Sequence, residues 1–273
     1  MNRVTTDNGT IFETFRDFSE FFKVCDERTH KGGSFNHART RYGDDDDWAG
    51  ASYEQARDMM IHGYEKSIEA VNTRVNQLQK QSFEKPPRRV RDYCGFAPIV
   101  PNVVIGLPKT MWNNRRDTKK SKCVTIVYDV GVSCGVSRSQ LEEHGAKIVS
   151  YVMNLERLGY RVRIDALDGF AGSNMAYALR VPIKNENNPI NLKRIAFPMT
   201  HVAFSRTLAF DWYERCPDAK YMGGYGTPLY AMNEYDRKEI LDTVLNDHEY
   251  YINYKLEPED VFKDFAEELG GVK

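Results

Sequence analysis

The residue types closest to a binding or catalytic motif occur in YDVGVSCGVS, residues 128–137. The β-branched run before this stretch predicts a strand that ends at Asp129, and the small residues after it predict a tight loop before a helix. A carboxylate followed by the hydroxyls of Ser133 and Ser137 offers the oxygen ligands that a hard divalent cation takes. The alternative, which the pattern favours, is a strand-to-helix turn in which Ser137 caps the helix.

The elements around this loop predict an α/β unit. After a strand at 123–128, a helix begins at Ser137, with Gln140 in the capping-box position, and ends before Gly159. YRVRIDAL then alternates apolar and polar residues, which indicates a strand near a sheet edge. AYALRVPI predicts a further, antiparallel strand and LKRIAFPM another strand. We expect helices at about 202–215 and 228–245, a strand at YYINY and a final helix after Pro258.

This order predicts a Rossmann-like mixed sheet with flanking helices and an N-terminal helical extension. Three carboxylates fall near the carboxyl ends of its strands: those of Asp129, Asp165 and Asp168. Ligands of α/β proteins gather at that edge of the sheet, so the sequence predicts any site there.

The loop Asp129-Val-Gly-Val-Ser133 resembles the metal-binding loop of von Willebrand factor A-type (vWA) domains, whose pattern is Asp-x-Ser-x-Ser. The order of the following elements is also similar, over about residues 123–230. The resemblance implies a Rossmann-like sheet that binds proteins with the help of Mg²⁺ or another divalent cation. It implies Asp129 and Ser133 as metal ligands, with Asp168 and Thr227 as candidates to complete the site. The sequence departs from the pattern at Gly131, where the family has its first serine.

Residues 48–230 resemble, more broadly, a family found mainly in tailed bacteriophages. The likeness is carried by DWAGASYEQARDMMIHGYEKSIEAV, by GLPKTMW and by VSRSQLEEHGAKIVSYVMNLERLGYRVRI. It implies a viral or prophage origin, and it assigns no role to any residue.

The chain divides into three predicted regions. Residues 1–84 are expected to be helical, with a helix in IFETFRDFSEFFKVCDE and another that begins at Ser52, where Gln55 completes a capping box. Residues 85–122 predict an extended connector, because proline and glycine are frequent there. Residues 123–273 predict the α/β domain.

The connector is also strongly basic. Ten lysines and arginines against two aspartates give residues 85–122 a net charge of +8, which leaves −9 for the remainder of a chain whose net charge is −1. Such a segment can contact nucleic acid or an acidic partner, or it can be a solvated linker. The candidate contact residues are Arg88, Arg89, Arg91, Arg115, Arg116, Lys119 and Lys120.

Composition narrows the class of protein. No apolar run approaches the roughly 20 residues that span a membrane, and the start of the chain lacks a signal peptide, so we expect a cytoplasmic protein, in the host cell if viral. The five cysteines form no C-x-x-C pair, which favours free thiols.

The leading functional hypothesis is therefore an intracellular protein-interaction module, with a phage or host protein as its partner and no catalytic set. Its predicted contact surface is the rim formed by Asp129, Ser133, Asp168 and Thr227. The alternative is a metal-dependent phosphoesterase or nuclease in which Asp129, Asp165 and Asp168 hold the cations and the basic segment follows a phosphate backbone. A third hypothesis is nucleic-acid binding through residues 85–122 without cleavage.

Overall fold

A computed structural model describes residues 1–7, 9–32, 38–39, 48–79, 88–115, 122–171, 176–219 and 227–265. The strands are β1 (Asn2–Thr5), β2 (Ile11–Thr14), β3 (Arg88–Asp92), β4 (Ala97–Pro98), β5 (Met111–Arg115), β6 (Cys123–Asp129), β7 (Arg161–Ala171), β8 (Ala176–Lys184) and β9 (Glu249–Ile252). The α-helices are α1 (Phe18–Glu27), α2 (Tyr53–His62), α3 (Glu65–Gln79), α4 (Val100–Val104), α5 (Arg138–Arg157), α6 (Leu192–Thr200), α7 (Phe210–Arg215), α8 (Glu234–Val244) and α9 (Pro258–Val261). A π-helical turn, Phe204–Ala209, leads into α7.

The main sheet has six strands in the order β1-β2-β8-β7-β6-β9. Strand β6 is parallel to both β7 and β9, whereas β8 is antiparallel to β7, as predicted. The α/β class with a mixed sheet and flanking helices is thereby confirmed. The prediction that YRVRIDAL lies near an edge is wrong, because β7 pairs on both sides. Its alternating polar face is tolerated in the sheet interior because buried Asp165 forms ion pairs with Arg163 and Arg180.

The N-terminal region supplies strands as well as helices. Ile11–Thr14 forms β2, which pairs in parallel with β8, so the prediction of one helix through IFETFRDFSEFFKVCDE is wrong for its first part. The helical part starts after Asp17, whose side chain accepts the backbone N–H of Glu20. The apolar side chains of β2 pack in the hydrophobic core on the two faces of the sheet.

Two capping boxes that the sequence predicts are present, at Ser52 with Gln55 for α2 and at Ser137 with Gln140 for α5. Gly159 follows α5 with a positive φ of 95°, a conformation that favours glycine. The prediction that LKRIAFPM is a strand is wrong, since the segment forms α6. A nearly continuous apolar run does not distinguish a buried helix from a strand by periodicity.

Helices cover both faces of the main sheet. The large core lies on the face covered by α3, α5, α6 and α7, and buried Ile126, Ile164 and Trp212 belong to it. A smaller core lies on the opposite face, where α8 packs against Val127 and Leu167. Adjacent strand residues point to opposite faces, and this alternation decides where each polar residue at the strand ends is directed.

The described part of the basic segment, 88–115, forms a small antiparallel sheet of its own in the order β3-β5-β4, with the one-turn helix α4. The sequence did not predict these elements. Outside the strand pairs, the backbone hydrogen bonds of this small sheet and α4 join residues of the same segment, for example Phe96 N–H to Trp112 O and Leu107 N–H to Asn102 O.

None of the helices in the described ranges combines the length and the apolar character needed to cross a membrane. All five cysteines lie in these ranges and carry free thiols, as predicted.

Candidate functional site

Asp129 ends β6 and is completely buried. Its Oδ1 accepts the backbone N–H of Gly131 at 2.9 Å, and its Oδ2 accepts the hydroxyl of Tyr251 at 3.0 Å. Burial raises the pKa of this carboxyl to about 7, against the opposing effect of the two hydrogen bonds. Asp129 thus links the turn after β6 to the neighbouring strand β9. This structural role agrees with the strand-to-helix turn that the sequence favoured.

Asp168 is the second buried carboxyl at this end of the sheet. Burial raises its pKa to about 8, the nearby charge of Asp129 raises it further, and hydrogen bonds from the Ser205 hydroxyl and the Gly169 amide oppose the rise. Its Oδ2 has no hydrogen-bond partner within the described residues. The two carboxyls influence each other, but strand alternation directs Asp129 toward the α8 side and Asp168 toward the π-helical turn.

Ser133 and Thr227, the other predicted metal ligands, lie in two loops at the same end of the sheet as Asp129. The backbone N–H of Ser133 donates to the hydroxyl of Tyr230 at 2.7 Å. Thr227 is exposed and precedes Pro228, and a Cβ added at Gly131 would lie 3.3 Å from the Pro228 Cβ. The loops therefore meet near Asp129. Within the described ranges no group of three or more His, Cys, Asp or Glu side chains is placed to hold a metal. The Mg²⁺ or other divalent cation stays a prediction.

Asp165 does not join the other two carboxyls. Its Oδ1 accepts from Arg163 at 2.8 Å and its Oδ2 from Arg180 at 2.7 Å. Arg180 continues to Glu249, where both of its terminal nitrogens bond the carboxylate at 2.7 Å. The nuclease hypothesis required Asp165 as a cation ligand, and these two arginines occupy the carboxylate instead.

The sequence did not single out three residues that bear on this edge: Tyr251, Asn253 and Ser205. Tyr251 bonds Asp129, and the Asn253 amide donates to the Tyr251 hydroxyl at 3.2 Å. Ser205 bonds Asp168 from the π-helical turn. The only sequence signal was the strand prediction for YYINY, and it carried no information on which strand lies beside β6.

The predicted basic contact residues divide into two groups. Arg89 and Arg91 are exposed on β3, and Arg88 and Arg115 belong to the strands β3 and β5. The remaining three, Arg116, Lys119 and Lys120, lie outside the described residues.

A family model described as a domain of unknown function, DUF7192, matches residues 3–270. The chain belongs to the DUF7192 family. No curated protein and no solved structure matches it. The match includes both the main sheet and the small sheet of this DUF7192 protein. The likenesses to bacteriophage proteins and to vWA domains stay predictions from the sequence.

Proposed function

We propose that this DUF7192 protein is a protein-interaction module and that its small sheet, β3-β5-β4 with α4, is the binding surface. The observation that carries the proposal is the concentration of exposed apolar side chains in this element. Of 13 large hydrophobic residues exposed in the described ranges, seven lie within residues 93–107. These seven, here called the apolar patch, are Tyr93, Phe96, Val100, Val103, Val104, Ile105 and Leu107.

The apolar patch belongs to a folded element. The amides of Val103 and Ile105 donate to Ile99 O and Pro101 O, and the side chain of Asn102 is buried among its neighbours. A segment with satisfied backbone groups and outward apolar side chains is typical of an interaction surface. Val104 and Ile105 are 78% and 68% exposed, so a partner would remove much of their surface from water.

The chemistry of the partner follows from the charges beside the apolar patch. Arg89 and Arg91 are exposed on β3, a strand of the same small sheet. Complementary potentials steer association and select partners, so the occupant is a protein surface that is apolar at its centre and acidic at its rim. A cytoplasmic location and a viral origin belong to the same proposal and rest on the sequence alone.

A photo-crosslinking amino acid placed at Val104 tests the proposal in cells that express the full chain. We expect a discrete protein adduct at Val104 and none at Tyr235, an equally exposed position on α8 that serves as the matched control (72% exposed). Mass spectrometry of the adduct identifies the occupant. Replacing Arg89 and Arg91 with glutamate should remove the adduct.

Three outcomes oppose the proposal. No adduct at Val104 would show that the apolar patch meets only solvent, and equal labelling at Tyr235 would show that the contacts at Val104 are not specific. An adduct that nucleases remove would replace the protein partner with nucleic acid, and binding should then weaken steeply with salt.

A further inference from the structure

The apolar patch has a candidate counterpart on the chain itself. Residues 257–264 carry four exposed carboxylates within eight positions, those of Glu257, Glu259, Asp260 and Asp264. Leu256, also exposed, lies at the start of this stretch. Residues 256–264, here called the acidic edge, carry these four carboxylates against one exposed lysine, Lys263, and thus combine an apolar side chain with a net charge of −3.

The acidic edge is held on the main sheet. Phe262 and Phe265 are buried there, and the Phe262 ring packs on Tyr151 of α5 at 5.6 Å and on Tyr250 of β9 at 5.9 Å between ring centroids. The carboxylates therefore stand on a fixed support, which lowers the entropy lost when they bind a partner. Three of these carboxylates also have partners within the chain: Glu257 pairs with Lys147 at 3.0 Å, Asp264 accepts from the Tyr250 hydroxyl at 3.5 Å, and Glu259 accepts from the Tyr151 hydroxyl.

The two surfaces carry opposite charges. Arg89 and Arg91 are exposed on the small sheet, and the acidic edge carries four exposed carboxylates against one lysine, so each copy carries both halves of a complementary pair. We infer that the partner of the apolar patch is a second copy of this chain, whose acidic edge lies against Arg89 and Arg91 while the apolar patch packs beside Leu256. This inference rests on the proposed function, because it names the occupant of the same surface.

Each copy supplies one basic apolar surface and one acidic surface. If both contacts form between the same two copies, the assembly closes as a dimer with two identical interfaces, and the charged surfaces are covered. Patch-to-patch packing is disfavoured instead, because it would bring the exposed Arg89 and Arg91 of both copies into one interface.

Sedimentation velocity of the purified full chain tests the inference over a range of concentrations. The wild type should form a dimer, and Val104→Asp with Ile105→Asp should be monomeric. Tyr235→Asp should remain a dimer. Removing two apolar anchors of this kind should weaken the dimer at least about 100-fold, because both side chains lose their buried contacts.

Charge reversal identifies the acidic edge as the counterpart. Arg89→Glu with Arg91→Glu should break the dimer, and so should Asp260→Arg with Asp264→Arg. A mixture of the two double variants should restore association, because the glutamates of one variant then face the arginines of the other and the second interface keeps its wild-type charges. All the variants change exposed residues, and circular dichroism checks that each is folded.

A wild type that stays monomeric at every concentration overturns the second copy as partner. The proposed function is then judged separately, by whether the crosslinker at Val104 captures a different protein. A dimer that survives the changes at the apolar patch overturns the inference as well, and so does a mixture of reversed variants that fails to associate.

Discussion

The hydroxyl of Tyr251 donates to Oδ2 of Asp129 at 3.0 Å, across the pairing of β9 with β6. The two residues are 122 positions apart in the chain. Asp129 is completely buried and lies at the turn that leads into α5. This bond connects the C-terminal part of the chain to the loop in residues 128–137, where the sequence comes closest to a binding or catalytic motif.

Tyr251→Phe removes the donor to Asp129 and also the acceptor of the Asn253 amide. We expect a loss of about 1–3 kcal/mol in the free energy of unfolding, because a buried carboxyl loses a partner. Urea denaturation measures it. Tyr250→Phe is the matched control: the Tyr250 hydroxyl lies 3.5 Å from Asp264 in an exposed contact, so its loss should change stability by less than about 0.5 kcal/mol. Equal effects of the two changes would contradict a stabilising role for the Tyr251 bond.

Stability should fall as pH rises through the range in which Asp129 and Asp168 ionise. Their folded pKa values, about 7 and about 8, lie above the ordinary value of 3.8. The folded state therefore binds more protons than the unfolded state from about pH 4 to pH 8. The stabilisation is complete below pH 4 and is lost as pH passes the folded pKa values. The slope should approach about 1.4 kcal/mol per pH unit for each carboxyl.

Asp168→Asn isolates one of these two carboxyls. The difference between wild-type and variant unfolding free energies, measured in EDTA from pH 4 to 9, should shift in favour of the variant as pH rises. Asp242→Asn, a change at an exposed position of α8, should give a difference that does not vary over this range. If the difference in unfolding free energy for Asp168→Asn also does not change with pH, Asp168 is not protonated preferentially in the folded state.

Arg180→Met should be among the most destabilising single changes. Arg180 bonds the carboxylates of Asp165 and Glu249 and the backbone carbonyl of Val244, and removing it leaves the buried Asp165 with only Arg163. Removing one partner of a buried ion pair costs about 3–5 kcal/mol. Chemical denaturation measures the loss. Lys238→Met, which breaks an exposed pair with Asp242, should cost less than about 1 kcal/mol. A small loss for Arg180→Met would show that the charge network does little to hold the sheet together.

Gly131→Ser would restore the serine of the vWA loop pattern, yet we expect it to destabilise the protein. A Cβ at this position would lie 3.1 Å from Asp129 Oδ1 and 3.3 Å from the Pro228 Cβ. The loop must shift to relieve these contacts, at a cost of about 1–3 kcal/mol. A thermal melt measures the change. Gly135→Ser, four residues on in the same loop, meets nothing within 4 Å and is the control. A more stable Gly131→Ser variant, above all one stabilised further by Mg²⁺, would support the metal-loop hypothesis.

Local features of the chain were predictable because short-range interactions determine them. The capping box at Ser137 and Gln140, the end of α5 before Gly159 and the strand that stops at Asp129 follow from propensity and hydrophobic period. The antiparallel strand β8 was also predicted correctly. The same local reasoning failed at LKRIAFPM, where a continuous apolar run fits a buried helix as well as a strand.

By itself, the sequence determined the α/β class, the βα unit around residues 123–157 and the position of Asp129 at a strand end. The tertiary structure alone decided that Tyr251 lies beside Asp129, that Asp165 pairs with Arg180 while Asp168 does not, and that the apolar patch is exposed. Hydrophobic period records only that a residue faces the protein interior. Which strand becomes the neighbour, and whether an apolar side chain finds a partner within its own chain, depend on how distant segments pack together.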